Sequence, residues 1–329
     1  MIVLGIESTA HTFGIGIVGN GKILSNVKKS YTTEKGGIIP MDAAKHHRDN
    51  KESIYSEALK NSGVDESKID AIAVSQGPGL APCLLQGMGF AKELSRKLGK
   101  PIVPVNHCVA HLEIGRVTGA KDPVMLYASG ANTQIIAYAS GKFRVFGETL
   151  DIGVGNFIDT FARYAGMGFP GGPAIEKLAQ QGKNFLEIPY KVKGMDIALS
   201  GILTNLRQKL ESKKHSLPDL AFSLQETVFA MLVEVSERAL AHTEKKELLL
   251  GGGVACNGRL QEMCKIMCKE RGARFFCPEK QFLVDNAAMI AFLGEIMFKS
   301  GIGFKGKEIE SLDIKPRQRT DDVEVSWRK

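Results

Sequence analysis

One stretch near the amino terminus recurs, in the same order, 120 positions later, and this restricts the chain more than any other feature. Residues 2–24, IVLGIESTAHTFGIGIVGNGKIL, read as a strand, a small-polar turn, a second strand, a Gly-containing hairpin and a third strand. Residues 122–144, DPVMLYASGANTQIIAYASGKFR, give the same order, with Thr9 falling on Ser129, Gly21 on Gly141 and Lys22 on Lys142. In both, β-rich apolar alternation brackets a turn. The first copy continues into a helix (about 41–62), a strand (70–75), the loop Gln76-Gly77-Pro78-Gly79, a helix (about 83–98) and a strand (102–105). The second continues into a helix (about 155–166), an insertion, a helix (about 220–242) and a strand (247–250). After the loop Gly251-Gly252-Gly253 come a helix (about 257–271), a strand (273–277) and a last helix (about 285–299).

Strands alternating with helices predict sheets covered by helices. A tandem repeat of this unit resembles the duplicated actin/hexokinase-type α/β fold, with a nucleotide cleft between two lobes. At 329 residues the chain is long enough for both. The boundaries expected are 1–120 for the first lobe, 121–299 for the second with an insertion at about 168–217, and 300–329 for a tail.

The 43% hydrophobic and 24% charged fractions exclude a disordered or fibrous chain. No apolar run reaches the roughly 20 residues that cross a bilayer. Glu7 comes too early for a secretory segment. The expected location is therefore the cytoplasm, with no membrane partner. The six cysteines form no Cys-x-x-Cys pair, as expected of reduced, buried thiols. A net charge of +7 leans towards polyanions, with basic residues gathered at 207–209, 213–214, 265–274 and 315–319.

Three glycine-rich turns stand out in the second half: Ser129-Gly130-Ala131-Asn132-Thr133, Gly171-Gly172-Pro173 and Gly251-Gly252-Gly253-Val254-Ala255-Cys256-Asn257. Turns without side chains let backbone N–H groups approach phosphate oxygens. Asp159 and Glu176 fall on helical stretches beside these turns, suited to accept hydrogen bonds from ribose hydroxyls. His107 and His111 follow a buried strand at i, i+4, which puts both imidazoles on one helical face, close enough to share a metal. Asp285, where the last helix opens, would complete a two-His, one-carboxylate set, or else serve as an N-cap. A zinc peptidase needs His-Glu-x-x-His. Here Cys108 stands where the general-base Glu would be, which argues against peptide hydrolysis.

These motifs together resemble the universal tRNA threonylcarbamoyladenosine transferase family, in its archaeal/eukaryotic branch, the catalytic subunit of the KEOPS complex. The resemblance runs from Gly5 to Arg328, through Gly5-Ile6-Glu7-Ser8-Thr9-Ala10-His11-Thr12, Gln76-Gly77-Pro78-Gly79, His107-x-x-x-His111, Leu126 to Gln134, Gly155 to Asp159, Pro170 to Pro173, Leu199-Ser200-Gly201, Gly251 to Asn257, Asp285-Asn286 and Pro316 to Asp321. It implies transfer of a threonylcarbamoyl group from its adenylate to the exocyclic amine of the adenosine 3′ of the anticodon, in tRNAs reading ANN codons, with release of AMP. His107, His111, Asp285 and Tyr127 would then hold one divalent metal, iron or zinc, acting as a Lewis acid. The adenylate would meet Tyr127, Ala128, Ser129, Gly130, Ala131 and Asn132, with Asp159, Gly172, Glu176, Gly252, Gly253 and Asn257, and ATP would fit the same cleft.

The implied partners are tRNA and the KEOPS subunits, including a kinase-like one that some relatives carry fused downstream. Glu7 and His11 are the candidates for a base. The chain departs from the family pattern at Ala131, Phe157 and Ala287. A left-handed backbone at Ala131 would cost an alanine on the order of 1 kcal/mol. Two further classes share the fold: a small-molecule kinase, in which the histidine pair has no obvious task, and a non-catalytic ATP-binding scaffold.

Overall fold

The computed structural model describes residues 1–34 and 37–328; Lys35, Gly36 and Lys329, the last residue of the expected tail, lie outside the described residues. The first copy of the repeat folds as β1 (Ile2–Glu7), β2 (Thr12–Gly19), β3 (Lys22–Ser30), α1 (Pro40–Ser62), β4 (Ala71–Gly77), α2 (Ala81–Leu98), β5 (Ile102–Asn106) and α3 (His107–Glu113). The second begins with β6 (Val124–Ala128), β7 (Thr133–Ala139), β8 (Lys142–Glu148) and α4 (Val154–Tyr164). The stretch read as an insertion then holds α5 (Gly172–Ala179), the short strands β9 (Val192–Lys193) and β10 (Asp196–Ile197), and α6 (Ser200–Glu211). The copy closes with α7 (Leu217–Thr243), β11 (Glu247–Gly251), α8 (Gly258–Glu270), β12 (Arg274–Phe276), α9 (Lys280–Leu283) and α10 (Ala287–Lys299), and α11 (Glu308–Ser311) follows in the tail.

The two sheets have orders β3-β2-β1-β4-β5 and β12-β11-β6-β7-β8, the same topology twice. The repeat extends to register: Leu4 faces Ile17 in one sheet and Val124 faces Ala137 in the other. The hairpins match too, with φ of 51° and 77° at Asn20 and Gly21 and again at Ser140 and Gly141. Positive φ at both central residues is the two-residue turn whose twist suits a right-handed hairpin. β1, β4 and β5 run parallel, as do β6, β11 and β12. Their carboxyl ends carry Glu7, Gly77 and Asn106 in one lobe, Ala128 and Gly251 in the other. Ligand crevices of such sheets open at those ends.

The lobes exchange their last helices. By chain order α10 falls in the second lobe, but in space it packs on β1, β2 and β4 of the first sheet, while α3 reaches β6 and β11 of the second. Glycines permit the first contact: a Cβ on Gly5 would lie 2.4 Å from the Ala291 nitrogen, and one on Gly16 2.4 Å from the Ala288 nitrogen. Backbone thus meets backbone where side chains normally hold a helix off a sheet. A buried cluster running through Val105, Cys108, Met125, Tyr127, Leu249 and Met289 fills the space between the lobes.

The tail straps both lobes. Lys315 donates its N–H to the Gln76 carbonyl (2.8 Å), Asn106 Nδ2 to Gln318 Oε1 (3.1 Å), and Thr320 Oγ1 to Gln134 Oε1 (3.3 Å). Trp327 Nε1 and Arg328 Nε then close on Glu113 Oε1 at 3.0 and 2.8 Å. Among the described residues, no helix is long and apolar enough to cross a membrane.

Gly5→Ala is expected to destabilise the protein by about 1–3 kcal/mol, since neither backbone can yield 1 Å without moving α10. Gly89→Ala, on α2 with nothing within 4 Å of the added Cβ, is expected to stabilise by about 0.5–1 kcal/mol. Denaturant unfolding of both variants checks the pair, and equal midpoints would remove the packing argument.

Candidate metal centre and nucleotide cleft

α3 begins at His107 because Asn106, the last residue of β5, caps it: the Asn106 side chain accepts from the Val109 N–H at 3.1 Å. One turn separates His107 from His111, and their ring centroids lie 4.8 Å apart. Asp285 arrives from the other end of the chain, immediately before α10. Its Oδ1 stands 3.3 Å from His107 Nε2 and 3.6 Å from His111 Nε2. One ligand atom from each of the three residues fits within 4.8 Å of the others. Asp285 does not cap α10, the alternative reading of its position. Asn286 does, accepting from the Met289 N–H at 3.0 Å.

The tautomer of His107 is set from behind. Its Nδ1 lies 3.0 Å from Glu7 Oε2, and Glu7 is wholly buried. A carboxylate on the far ring nitrogen directs the other nitrogen outward, the usual support for a metal-ligating imidazole. Glu7 also accepts from the Thr9 N–H at 2.7 Å and from the Thr9 hydroxyl. A base candidate in the sequence, Glu7 is thus enclosed behind the histidine. His11, the other candidate, is partly exposed, its Nδ1 3.9 Å from Asp285 Oδ2 and its ring edge-on to Phe169 of the second lobe.

Burial alone would push the His107 imidazole down, but Glu7 and Asp285 on either side raise it well above its ordinary value. Burial pulls His111 down. For Asp285, burial is outweighed by the histidines, which hold its carboxyl well below the usual range. Both His111 ring nitrogens are buried without a hydrogen-bond partner among the described residues. Unpaired buried nitrogens are costly, and a cation shared with Asp285 would satisfy one of them. The donor set of two imidazoles and a carboxylate suits such an ion. Tyr127, which the family resemblance adds to this set, is 1% exposed with its ring 5.1 Å from that of His111.

The glycine turns converge beside this group. Ser129 to Asn132 closes on itself through the Ser129 N–H to the Asn132 carbonyl, 2.9 Å. The Gly155 and Asn156 N–H groups at the start of α4 bind the Ser129 and Gly130 carbonyls, each at 2.9 Å. Gly252, with φ of 89°, lies so close to β6 that a Cβ would stand 2.4 Å from the Ala128 carbonyl oxygen. Asp159 Oδ1 accepts from the Gly171 N–H (2.8 Å) and Glu176 Oε1 from the Gly258 N–H (2.8 Å), so both acids tie turns together. Asn257 is occupied at both ends: Oδ1 caps α8, and Nδ2 donates to Gln225 Oε1 at 2.9 Å. Gly172 has nothing within 4 Å of a would-be Cβ, leaving open space there. Among the described residues Ala131 does not have positive φ, so the cost expected for an alanine does not arise.

Sequence reasoning overlooked Lys28, whose Nζ donates to the Asp285 carbonyl at 3.0 Å. No motif includes it; its alternation within β3 was the available signal. It also left open the two tasks of Glu7 and Asn286, which depend on partners distant in sequence.

A family model described as tRNA N6-adenosine threonylcarbamoyltransferase matches residues 22–292. A tRNA N6-adenosine threonylcarbamoyltransferase of Thermococcus sibiricus is 55% identical over 99% of this chain and 100% of its own length. A protein of Methanosarcina mazei named a probable bifunctional tRNA threonylcarbamoyladenosine biosynthesis protein is 50% identical over 99% of this chain, which covers 60% of that relative. Among solved structures, Thermococcus kodakarensis HypF aligns with a TM-score of 0.63 at 15% identity, covering 94% of this chain and 48% of that one. A glucokinase of the ROK family from Streptomyces griseus aligns with a TM-score of 0.50 at 14% identity, covering 89% and 99%. These two likenesses concern the fold: two-lobed α/β, of the actin/hexokinase type.

Glu7→Gln keeps a hydrogen-bonding group behind His107 but removes the charge. Metal affinity is expected to fall about 10–100-fold with folding intact, as such supporting carboxylates do elsewhere. Competition with a chromophoric chelator measures it, and unchanged affinity would strip Glu7 of this task.

Proposed function

The chain belongs to the tRNA N6-adenosine threonylcarbamoyltransferase family, and from that premise we propose how its own residues serve the reaction. It is a transferase that modifies tRNA. The observation that supports the site assignment is that His107, His111 and Asp285 group together where the Tyr127 ring lies 5.1 Å from that of His111, Asn132 Nδ2 lies 3.9 Å from Cys108 Sγ, and Val284 stands against Gly253.

In this reading His107, His111 and Asp285, with Tyr127, hold one iron or zinc ion, which supplies Lewis-acid polarisation when bound. Glu7 orients His107. The stretch Tyr127 to Asn132, with Gly172, Gly252 and Gly253, cradles the adenylate. Asp159 and Glu176 face the ribose through oxygens not used on the turns, and Asn257 acts mainly by holding its turn in shape. The exocyclic amine of the tRNA adenosine attacks the carbamoyl carbon, a C–N bond forms, and the C–O bond to the phosphate breaks with its electron pair on AMP. Turn N–H groups offset the charge growing on that phosphate. His11, at the partly exposed junction of the lobes, is the side chain placed to take the amine proton, whereas Glu7 is shut away from substrate. The protein works in the cytoplasm with the other KEOPS subunits, among them a kinase-like one. A basic balance of +7 contributes phosphate contacts to tRNA binding.

A transfer assay tests this reading, using the full chain with its partner subunits, threonylcarbamoyl-adenylate and an ANN-decoding tRNA. Product is expected to vanish with a chelator and return with added iron or zinc. The double variant His107→Ala/His111→Ala is expected to lose transfer, by 100-fold or more on the order of a lost catalytic group, while keeping its fold. Near-normal modification by that variant would sink the metal assignment.

A further inference from the structure

β3 brings a cation to the linker before α10. The Lys28 ammonium stands beside Asp285, its Nζ 3.0 Å from the main-chain oxygen. Space for the side chain comes from Gly14, paired with Lys28 across the β2–β3 ladder, where an added Cβ would sit 3.2 Å from Lys28 Cβ. The hydrogen bond to the Asp285 carbonyl puts the ammonium beside the linker before α10, whose Val284 in turn stands 3.9 Å from a Cβ built on Gly253.

The ion pairs of the centre join His107, His111 and His11 to Glu7 and Asp285, and Lys28 takes part in none of them. An ammonium has three N–H donors, and a main-chain carbonyl occupies one here. Partly buried, and in no salt bridge among the described residues, the ammonium keeps donors free for an anionic ligand. The two carboxylates of the centre are not that ligand, since they are engaged by histidines and would be neutralised further by a divalent ion.

Resting on the transferase reading, we propose that Lys28 binds substrate phosphate: its ammonium takes a non-bridging oxygen of the adenylate where the metal group meets the 253–256 turn. The phosphate of the adenylate carries one negative charge, and that of departing AMP carries nearly two. As the C–O bond breaks and its electron pair passes to AMP, the amine proton leaving by way of His11, the attraction of Lys28 grows. A contact stronger at that stage than in the ground state raises kcat as well as affinity.

The test compares binding of AMP and of adenosine to the metal-loaded full chain as wild type, Lys28→Met and Lys28→Arg, by calorimetry, with metal content measured in each. Lys28→Met is expected to bind AMP roughly 10–100-fold more weakly, adenosine unchanged and metal retained, as for loss of one charge-assisted hydrogen bond. Lys28→Arg is expected to recover most of the AMP affinity. Unchanged AMP binding by Lys28→Met would overturn the proposal, as would an equal loss for adenosine or loss of the metal, since either would mean a disturbed cleft. Failure of the transferase reading would look different: wild-type protein would bind AMP through Lys28 yet transfer nothing to tRNA.

Discussion

The contact on which the rest depends is the close approach of α10 to the first sheet. Gly5 and Gly16 present bare backbone to the Ala287–Ala291 turn of that helix, and Gly294 meets Ala73 from the helix side. Asn286 and Asp285 lie at the near end of the same helix, so the depth at which α10 sits decides where the Asp285 carboxylate stands. A helix held off by ordinary side chains would leave that carboxylate ångströms from His107 and His111, and the two histidines would face each other without an acid between them. Ala287, a departure from the family pattern, lies in this contact fully buried, so the added methyl is accommodated beside Gly14.

A second constraint is electrostatic. His107 is held between two acids, Glu7 behind and Asp285 in front, while His111 is buried with neither ring nitrogen satisfied. The arrangement gives the two imidazoles different characters although they are one helical turn apart. One is fixed in orientation by its acids, and the other makes no hydrogen bond among the described residues. The four side chains involved come from three segments: the end of β1, α3 and the linker before α10. The exchange of α3 and α10 between lobes is what brings those segments together beside the turns of the second sheet.

Much of this was legible in the sequence, for a physical reason. Strand and helix periods, hairpin glycines and caps are encoded by residues within a few positions of one another, so the repeat forecast both sheets, and the 120-position shift carried over to strand register and turn angles. The spacing of His107 and His111 was sufficient to place them on one helical face, and Asn106 just before them is itself a cap signal. The glycine turns were also visible, although the reason for each glycine was not. Gly252 is required by its left-handed backbone and by the Ala128 carbonyl pressed against it, whereas Gly172 borders open space.

The sequence by itself determined the duplicated α/β plan, the candidate histidine pair and, by resemblance, the chemistry. Only the tertiary structure decided that Asn286 rather than Asp285 caps α10, that Glu7 stands behind His107, and that Lys28 reaches the Asp285 carbonyl. It also decided that α10, by chain order a part of the second lobe, builds the first. Each of these depends on which backbones can approach one another across long stretches of chain, and such an approach is governed by packing between faces, which no local pattern of residues records.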